Sequence, residues 1–443
     1  RVDRRQRQMC IRDSQNLALW KPADQSSVSP WSVQHPRPGE DPVDAEDVAR
    51  VVEQGLKLAA ELRSAGVDVG SRFSELHRLA HQAQGSGSVR DLYLQVRGIV
   101  RELTLAHPRL DFDDLLFVKR APGSFSHMSD QNYGWWSRPG GGIYILRDWK
   151  SPHARLECLT EGWEEGSFLS PELSFDGRRV LFAYCRYYPD LASNPDKLAK
   201  DSLPEDGFYH LYEMAIDGSN VRRLTWGRYD DFDGRYLPSG DIVFLSTRRG
   251  QFVQTRLGQG LETLKASLPD CFVRCGGDAY RPVSVYTLHR MRPDGSEIRA
   301  LSPFENFEWT PALAADGRIL YARWDYVDRD NMPYMGLWSM LPDGTNPRAV
   351  YGNFTHAPHC VFEARPVPDS TKILFTASAH HSITGGSLCL LDTAVGVDGP
   401  EPIERITPEV CFPEIEGWPL TYFATPYPPV SYTHLTLPTI YSV

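Results

Sequence analysis

The sequence contains no apolar run long enough to cross a membrane as a helix, so it predicts no membrane span. It also lacks an excess of positive charge, because 57 acidic residues outnumber 47 basic ones and the formal net charge is −10. Proteins that bind nucleic acids usually present a basic surface. The acidic balance therefore argues against a nucleic-acid partner.

Motifs that would identify a reaction are absent as well. None of the eight cysteines lies in a CxxCH haem-attachment pattern or a CxxC pair, and no GxSxG nucleophile elbow occurs. The glycines at 140–142 are not followed by the GK[ST] of a phosphate-binding loop, and they predict a turn instead. The spacing of Cys271 and Cys275 leaves a disulfide, a metal site or two buried thiols open. Without a catalytic motif, the sequence does not decide whether the chain is an enzyme.

Glycine, proline and aromatic residues are abundant, and they punctuate a repeated hairpin pattern. The 35 glycines, 34 prolines and 11% aromatic residues suit a β-rich, turn-rich protein. In residues 171–182, two strands of alternating apolar residues flank Asp176-Gly177, and such a pair is a strong signal for a tight hairpin turn. The layout recurs at 237–244, 313–321 and 367–375.

A second kind of hairpin lies between these copies, with its turns at Asp217-Gly218, Asp294-Gly295 and Asp343-Gly344. Each repeat therefore has four strands and one such turn in each half, which is the size of a β-propeller blade. We predict a mostly β fold, a β-propeller of about five blades plus a stub. The competing fold, a β-sandwich, would need both half-motifs to recur by coincidence.

A small helical region is predicted before the propeller. Asp44 and Ser88 are suitable caps for two helices, the first ending near Gly66 and the second before Pro108. Apolar residues recur at helical spacing after each cap, and Phe73 begins a shorter third segment of this kind. These apolar stripes favour a packed core over a cofactor site.

Both ends of the chain are expected to be foreign to the protein. A DNA sequence that encodes Val430–Thr439 gives Arg4–Asp13 when its reverse complement is translated in another frame. Both segments resemble translated sequencing adapter, as expected for a metagenomic gene fragment that is cut at both ends. We therefore divide the chain into adapter-derived residues 1–14, a linker and helical region 15–110, the propeller 111–429, and adapter-derived residues 430–443.

Five short motifs carry a family resemblance over about residues 112–428. They are Leu115–Arg120, Arg138–Tyr144, Tyr229–Asp233, Asn353–Cys360 and Thr376–His381. With them the chain resembles the propeller family named after the middle domain of the hydrazine synthase alpha subunit, which belongs with TolB-type propellers. The resemblance implies a TolB-like propeller in a bacterial periplasmic or otherwise exported protein. It also implies haem chemistry, from which this chain departs because it has no CxxCH.

The geometry of a blade sorts the polar residues by face. If strands A to D run outwards from the axis, the start of strand A and the end of strand B lie on one face, and the Asp-Gly turns lie on the other. Unusual polar residues concentrate on the first face, where loops on a rigid scaffold commonly form sites. The predicted ligand-binding residues there are Arg120, His127, Arg186, Asp230, Asp231, Arg248, Arg323 and Asp325.

A metal site is predicted on the same face. His356, His359, Cys360, His380 and His381 have the side chains that bind zinc or another transition metal, and they would also serve as haem contacts. Asp230, Asp231 and Asp233 could bind calcium. The alternatives are that the histidines cap backbone groups and that the arginines pair with the aspartates as structural ties between blades.

The sequence favours a non-catalytic binding or scaffold module, which binds an unknown protein or small molecule on this face. The alternative is the propeller part of a haem- or metal-dependent redox enzyme whose haem domain lies outside these residues. No cofactor is assigned by the sequence beyond a metal ion or haem contact.

Overall fold

The computed structural model describes residues 44–82, 88–124, 127–129, 131–194, 200–249, 252–254, 271–273, 283–304, 306–325, 333–353, 355–381, 384–419, 421–428, 435–436 and 439–442. Three helices precede the strands: α1 Ala45–Ser64, α2 Arg72–Gln82 and α3 Val89–Leu105. Asp44 caps α1 by accepting from the backbone N–H groups of Glu46 and Asp47, and Ser88 caps α3. The three helices share a core of their own, so the predicted helical region is confirmed.

The strands of the first three blades are β1 Leu115–Lys119, β2 Gly142–Arg147, β3 Arg155–Cys158, β4 Gly166–Leu173, β5 Arg179–Arg186, β6 His210–Ala215, β7 Arg222–Arg223, β8 Asp231–Tyr236, β9 Ile242–Ser246, β10 Phe252–Gln254, β11 Cys271–Val273, β12 Val283–Ser284, β13 Thr287–Met291 and β14 Arg299–Ala300. The later strands are β15 Glu308–Leu313, β16 Ile319–Trp324, β17 Met335–Met340, β18 Arg348–Tyr351, β19 Cys360–Pro366, β20 Lys372–Ser378, β21 Ser387–Asp392, β22 Ile403–Arg405, β23 Thr421–Ala424, β24 Leu435–Thr436 and β25 Thr439–Ser442.

Four of the blades have four antiparallel strands each. They are β4-β5-β6-β7, β8-β9-β13-β14, β15-β16-β17-β18 and β19-β20-β21-β22. A parallel pairing of β17 with β19 joins the last two blades into one sheet of eight strands. The first sheet contains β1, β2 and β3, with β24 parallel to β1. The small strands β10, β11 and β12 form a separate sheet within the third blade. The mostly β propeller fold of about five blades plus a stub is confirmed.

The hairpin turns have the predicted backbone conformation. Gly177, Gly240 and Gly317, between the first two strands of three blades, have φ values of 67°, 87° and 82°. This left-handed region is open to glycine without steric strain. The sequence predicts that the stub begins near residues 414–418, but Glu414–Gly417 forms a turn and the strand β23 starts only at Thr421.

The innermost strands share a bulge that the sequence does not predict. The register of β4, β8, β15 and β19 shifts at a bulge in the same part of each strand. A non-glycine residue with positive φ lies in each bulge, and Thr425 after β23 has the same conformation. These residues are Ser170 (46°), Asp233 (52°), Thr310 (48°), Glu363 (54°) and Thr425 (53°).

The connection between β1 and β2 lies across several blades, and we call its residues 127–129 and 131–137 the strap. Tyr133 donates from its hydroxyl to the backbone oxygen of Ser284 in the third blade. Gln131 exchanges hydrogen bonds with Thr384 in the fifth, at 2.9 and 3.2 Å. Its buried Tyr133 and Trp135 belong to the main propeller core. The strap therefore packs as part of the propeller.

Replacing Gly134 with alanine is expected to destabilise the protein by about 1–3 kcal/mol, because overpacking forces backbone shifts. A Cβ atom at this position would overlap the backbone oxygen of Gly207. Chemical denaturation followed by tryptophan fluorescence measures the effect. Gly98→Ala is the control, since a Cβ there meets nothing within 4 Å. Equal stability of the two variants would contradict the close approach.

Candidate metal site

The strand register places the predicted residues on one face of the propeller. The first residue of β8, Asp231, lies opposite Ser246 at the end of β9, and Cys360 at the start of β19 lies opposite Ser378 at the end of β20. The face that carries the starts of the inner strands and the ends of their partners is called the loop face below. This register brings polar residues at the starts of the inner strands beside those at the ends of the second strands.

A cluster of histidines around one carboxylate lies on the loop face. His380, His381 and Glu414 each offer a ligand atom, and the three atoms all lie within 4.8 Å of one another. His381 Nδ1 is 2.5 Å from Glu414 Oε1, and His380 Nδ1 is 3.5 Å from the same oxygen. Among the described residues this is the one group of three such side chains with metal-binding spacing.

Backbone groups fix the Glu414 carboxylate in this cluster. The N–H groups of His380 and His381 donate to Glu414 Oε2 at 2.8 and 3.2 Å. Glu414 has a φ of 71°, and its own N–H donates to the backbone oxygen of Gly417. The tight turn therefore aims the carboxylate at the end of β20.

Two further imidazoles surround this group. His359 Nε2 lies 3.4 Å from Glu414 Oε2, and the His127 ring centre is 5.8 Å from that of His381. His127, His359 and His380 are buried, whereas the His381 side chain is 41% exposed. His127 comes from the strap. The cluster thus combines residues from the strap, the start of β19, the end of β20 and the turn before β23, and opens to solvent at His381.

The charges in the cluster favour an ionised Glu414 carboxylate beside a neutral His380 imidazole. Burial disfavours ionisation of Glu414, but the neighbouring His359, His380 and His381 outweigh it and hold the pKa of this carboxyl well below its ordinary value. Burial lowers the pKa of His380, although Glu414 opposes the change. A carboxylate with neutral imidazoles is the protonation state in which these side chains bind metal ions.

Two predicted metal ligands lie apart from this group. His356 is exposed, and it is not among the described residues that form the cluster. Cys360 is buried, and its thiol donates to the backbone oxygen of Pro333 at 3.3 Å. Burial raises the pKa of the Cys360 thiol well above its ordinary value, with a further contribution from the charge of Glu414. A thiol of this kind is a poor source of the thiolate that binds metals.

The predicted arginines and aspartates mostly contact one another. Arg248 donates to both carboxylate oxygens of Asp231, at 3.2 and 2.7 Å, within a single blade. Arg323 lies 2.7 Å from Asp325, with its guanidinium 3.3 Å from the ring centre of Phe304. Burial raises the pKa of Asp325. Both pairs form within a single blade, whereas the alternative that the sequence left open was a tie between neighbouring blades.

The remaining predicted ligands have separate positions on the loop face. Asp230 accepts from the backbone N–H groups of Gly134 and Tyr209, so it ties the strap to two blades. Arg186 lies 3.4 Å from Glu164 and 3.8 Å from Asp206, and Arg120 is half-buried. The long insertions after the second strand of a blade are expected on the same face, and three of their polar residues, Asp130, Cys275 and Asp328, lie outside the described residues.

Glu414 is the member of the cluster that the sequence analysis missed. The sequence pattern places it near the beginning of the stub, and in the structure it lies in the connection that precedes β23. The rule that such connections collect on the loop face could have found it. A carboxylate in that connection, opposite the His380-His381 pair, was the available signal.

The chain was compared with known proteins. No family model and no curated protein matches it. Solved structures that resemble it include Kuenenia stuttgartiensis hydrazine synthase, with 15% identity, a TM-score of 0.48, and coverage of 72% of this chain and 41% of that chain. TolB from Acinetobacter baumannii has 7% identity, a TM-score of 0.39, and coverage of 76% and 65%. The β-propeller domain of the trilobed protease from Pyrococcus furiosus has 13% identity, a TM-score of 0.28, and coverage of 70% and 91%.

These likenesses concern the fold alone. The chain spans less than two thirds of the length of the hydrazine synthase and TolB chains. In the part of the chain that the structure describes, no helix has the length and apolar character of a membrane span.

Proposed function

We propose that this β-propeller is a binding module that holds a divalent transition-metal ion on its loop face, through His380, His381 and Glu414. The observation that carries the proposal is the convergence of three ligand atoms within 4.8 Å of one another. The ion would then be the point at which a small molecule or a protein partner binds.

The chemistry of the donors supports a metal more than simple capping of backbone groups. Imidazole and carboxylate are the ligands that zinc, manganese and iron share in proteins. One carboxylate with three histidine nitrogens at 2.5, 3.4 and 3.5 Å exceeds what is needed to cap the end of a strand. His359 is the natural fourth ligand, and the exposed side of His381 leaves room for an external one.

Backbone support for Glu414 adds to this argument. Metal-binding side chains are usually held by hydrogen bonds from a second layer of groups, whose loss weakens metal binding by about 10–100-fold. Two N–H groups hold the carboxylate. The site is therefore largely formed before any ion binds.

Metal titration of the purified protein tests the proposal. After dialysis against a chelator, the wild type is expected to bind Zn²⁺ or Co²⁺ with one-to-one stoichiometry by calorimetry. Glu414→Gln and His381→Ala are expected to weaken binding by at least about 100-fold, because each removes a direct ligand and the loss of a supporting group alone costs about 10–100-fold. His356→Ala is the matched control, because it removes an exposed histidine outside the cluster.

Asp176→Ala serves as a second control. Asp176 lies in a hairpin turn on the opposite face, so its substitution is expected to leave metal affinity unchanged. A wild type that binds no ion, or equal affinities for Glu414→Gln and His356→Ala in folded proteins, would refute the metal site.

We also propose that the module acts in an exported bacterial protein, on the basis of the TolB-type family resemblance of its motifs. Fractionation of the native host, with detection by antibody, tests the location. Detection in the cytoplasmic fraction alone would contradict it.

A further inference from the structure

The inner strands surround the axis and contact one another there. Thr310 accepts from the backbone N–H of Glu363 at 2.9 Å through its hydroxyl, and Ser170 donates from its hydroxyl to Asp233. Glu363 in turn accepts from the backbone N–H of Thr425. The residues at the bulges thus link neighbouring strands around the axis.

A second set of side chains lies two residues further along each strand. Arg235 and Arg365 both reach toward Glu172, although Arg365 and Glu172 are 193 residues apart in the chain. The distances to Glu172 Oε2 are 3.6 Å from Arg235 Nε and 3.5 Å from an Arg365 terminal nitrogen. Two guanidinium groups from different blades therefore converge on a single carboxylate oxygen.

This convergence leaves Arg235 with few hydrogen bonds. Arg235 is only 6% exposed, and one terminal nitrogen donates to the backbone oxygen of Gly234 at 2.7 Å. Within the described residues its Nε has no hydrogen-bond partner. Charge-assisted hydrogen bonds between guanidinium and carboxylate are normally about 2.7–2.9 Å long. Buried donors without partners are rare and call for a ligand or another explanation.

The remaining charges near the axis already have neutral partners. The Asp233 carboxylate accepts from the Ser170 hydroxyl, and Glu363 Oε2 accepts from the Thr376 hydroxyl at 2.9 Å. Burial lowers the pKa of Arg235, and so does the positive charge of Arg365. Glu172, Asp233 and Glu363 oppose this change, so three carboxyl groups act on Arg235. Burial raises the pKa of Glu363, which favours its neutral form, and among these acids Glu172 is the one that contacts both guanidinium groups.

Solvent reaches this gap. The side chains of Glu172 and Arg365 are 20% and 15% exposed. The Arg365 guanidinium lies 5.4 Å from the ring centre of Tyr427, which adds an aromatic wall. A small polar molecule therefore has access to Arg365 and Glu172, whereas Arg235 lies buried behind them.

We propose that the axis of the propeller is a second binding site, separate from the histidine cluster, in which a small oxyanion binds between Arg235 and Arg365. Its ligand would carry a carboxylate or a phosphate, because each offers several oxygens to two guanidinium forks at once. Glu172 marks the position of the oxyanion, and moves aside when one binds. The three residues of this site, Glu172, Arg235 and Arg365, come from three blades.

Binding of acetate and of inorganic phosphate, measured by calorimetry in the presence of a chelator, tests this site. Glu172→Gln is expected to tighten binding of at least one probe by about tenfold, because it removes a competing carboxylate worth one charge-assisted hydrogen bond. Arg365→Gln is expected to weaken binding by about tenfold or more for the same reason. A preference for phosphate over acetate would identify phosphoryl ligands, and the reverse would identify carboxylates.

Arg348→Gln is the control, since Arg348 is exposed on an outer strand. Circular dichroism and thermal melting establish that each variant is folded. If folded Glu172→Gln and Arg365→Gln bind both probes as the wild type and Arg348→Gln do, or if none of the four proteins binds either probe, the axial site is wrong. Glu414→Gln should bind the probes like the wild type, which separates this result from the fate of the metal site.

Discussion

Replacing Arg248 with methionine is expected to destabilise the propeller by about 3–5 kcal/mol, the usual effect of breaking a buried ion pair from one side. Its partner Asp231 is completely buried and accepts two hydrogen bonds from the guanidinium. The Ser246 hydroxyl also donates to Asp231, but a neutral donor cannot balance a buried charge. Urea denaturation gives the free energy of unfolding.

The comparison protein is Arg178→Met, in which an exposed arginine is removed from a hairpin turn. Its effect should remain within the range of about 0–1 kcal/mol that is typical of exposed charges. The double variant Asp231→Asn, Arg248→Met should lose less stability than the sum of its single variants, because no unpaired carboxylate remains. Equal stability of Arg248→Met and Arg178→Met would show that the pair is not buried in solution.

Ionisation of Glu308 is expected to lower the free energy of unfolding by about 3 kcal/mol between acid and alkaline pH. Each unit of pKa shift corresponds to about 1.4 kcal/mol. This side chain is completely buried, and burial raises its pKa to about 7, although Ser302 and the Leu288 N–H oppose the change. Because the pKa is higher in the folded state, the stabilisation is complete below the ordinary pKa of 4.5 and is lost as the pH rises through about 7.

The free energy of unfolding of Glu308→Gln, measured at several pH values between acid and mild alkali, isolates this contribution. The variant should change less than the wild type over that window, and it should be the more stable of the two above neutrality. Glu404→Gln, at an exposed position, should follow the wild type. Parallel curves for Glu308→Gln and the wild type would mean that Glu308 is ionised in the fold.

Features that depend on local sequence were the ones that could be predicted. Asp44 and Ser88 cap helices wherever their neighbours are helical, and Gly177 permits its turn without help from distant residues. The assignment of strand starts and ends to a common face needed only the antiparallel order within a blade. For that reason His380 and His381 were placed on the correct face.

Features that depend on contacts between blades could not be predicted. His356 and His359 are close in sequence, yet only His359 reaches Glu414, because the start of β19 sets which of them turns inward. The bulge residues Asp233 and Glu363 have no local signal for positive φ, since neither is glycine. His127 joins the cluster through the strap, whose path across the blades is set by packing.

The strap also has a consequence for how the chain folds. Its hydrogen bonds between Gln131 and Thr384 join positions that are 253 residues apart, whereas the hairpins within blades join near neighbours. Contacts of such large sequence separation form late, because the entropy of closing the loop must be lost before they can stabilise anything. The hairpins can form early, and His127 would approach the ring of His381 only in the last stage of folding. The histidine cluster would then be complete, with His127 in place, only in the native state.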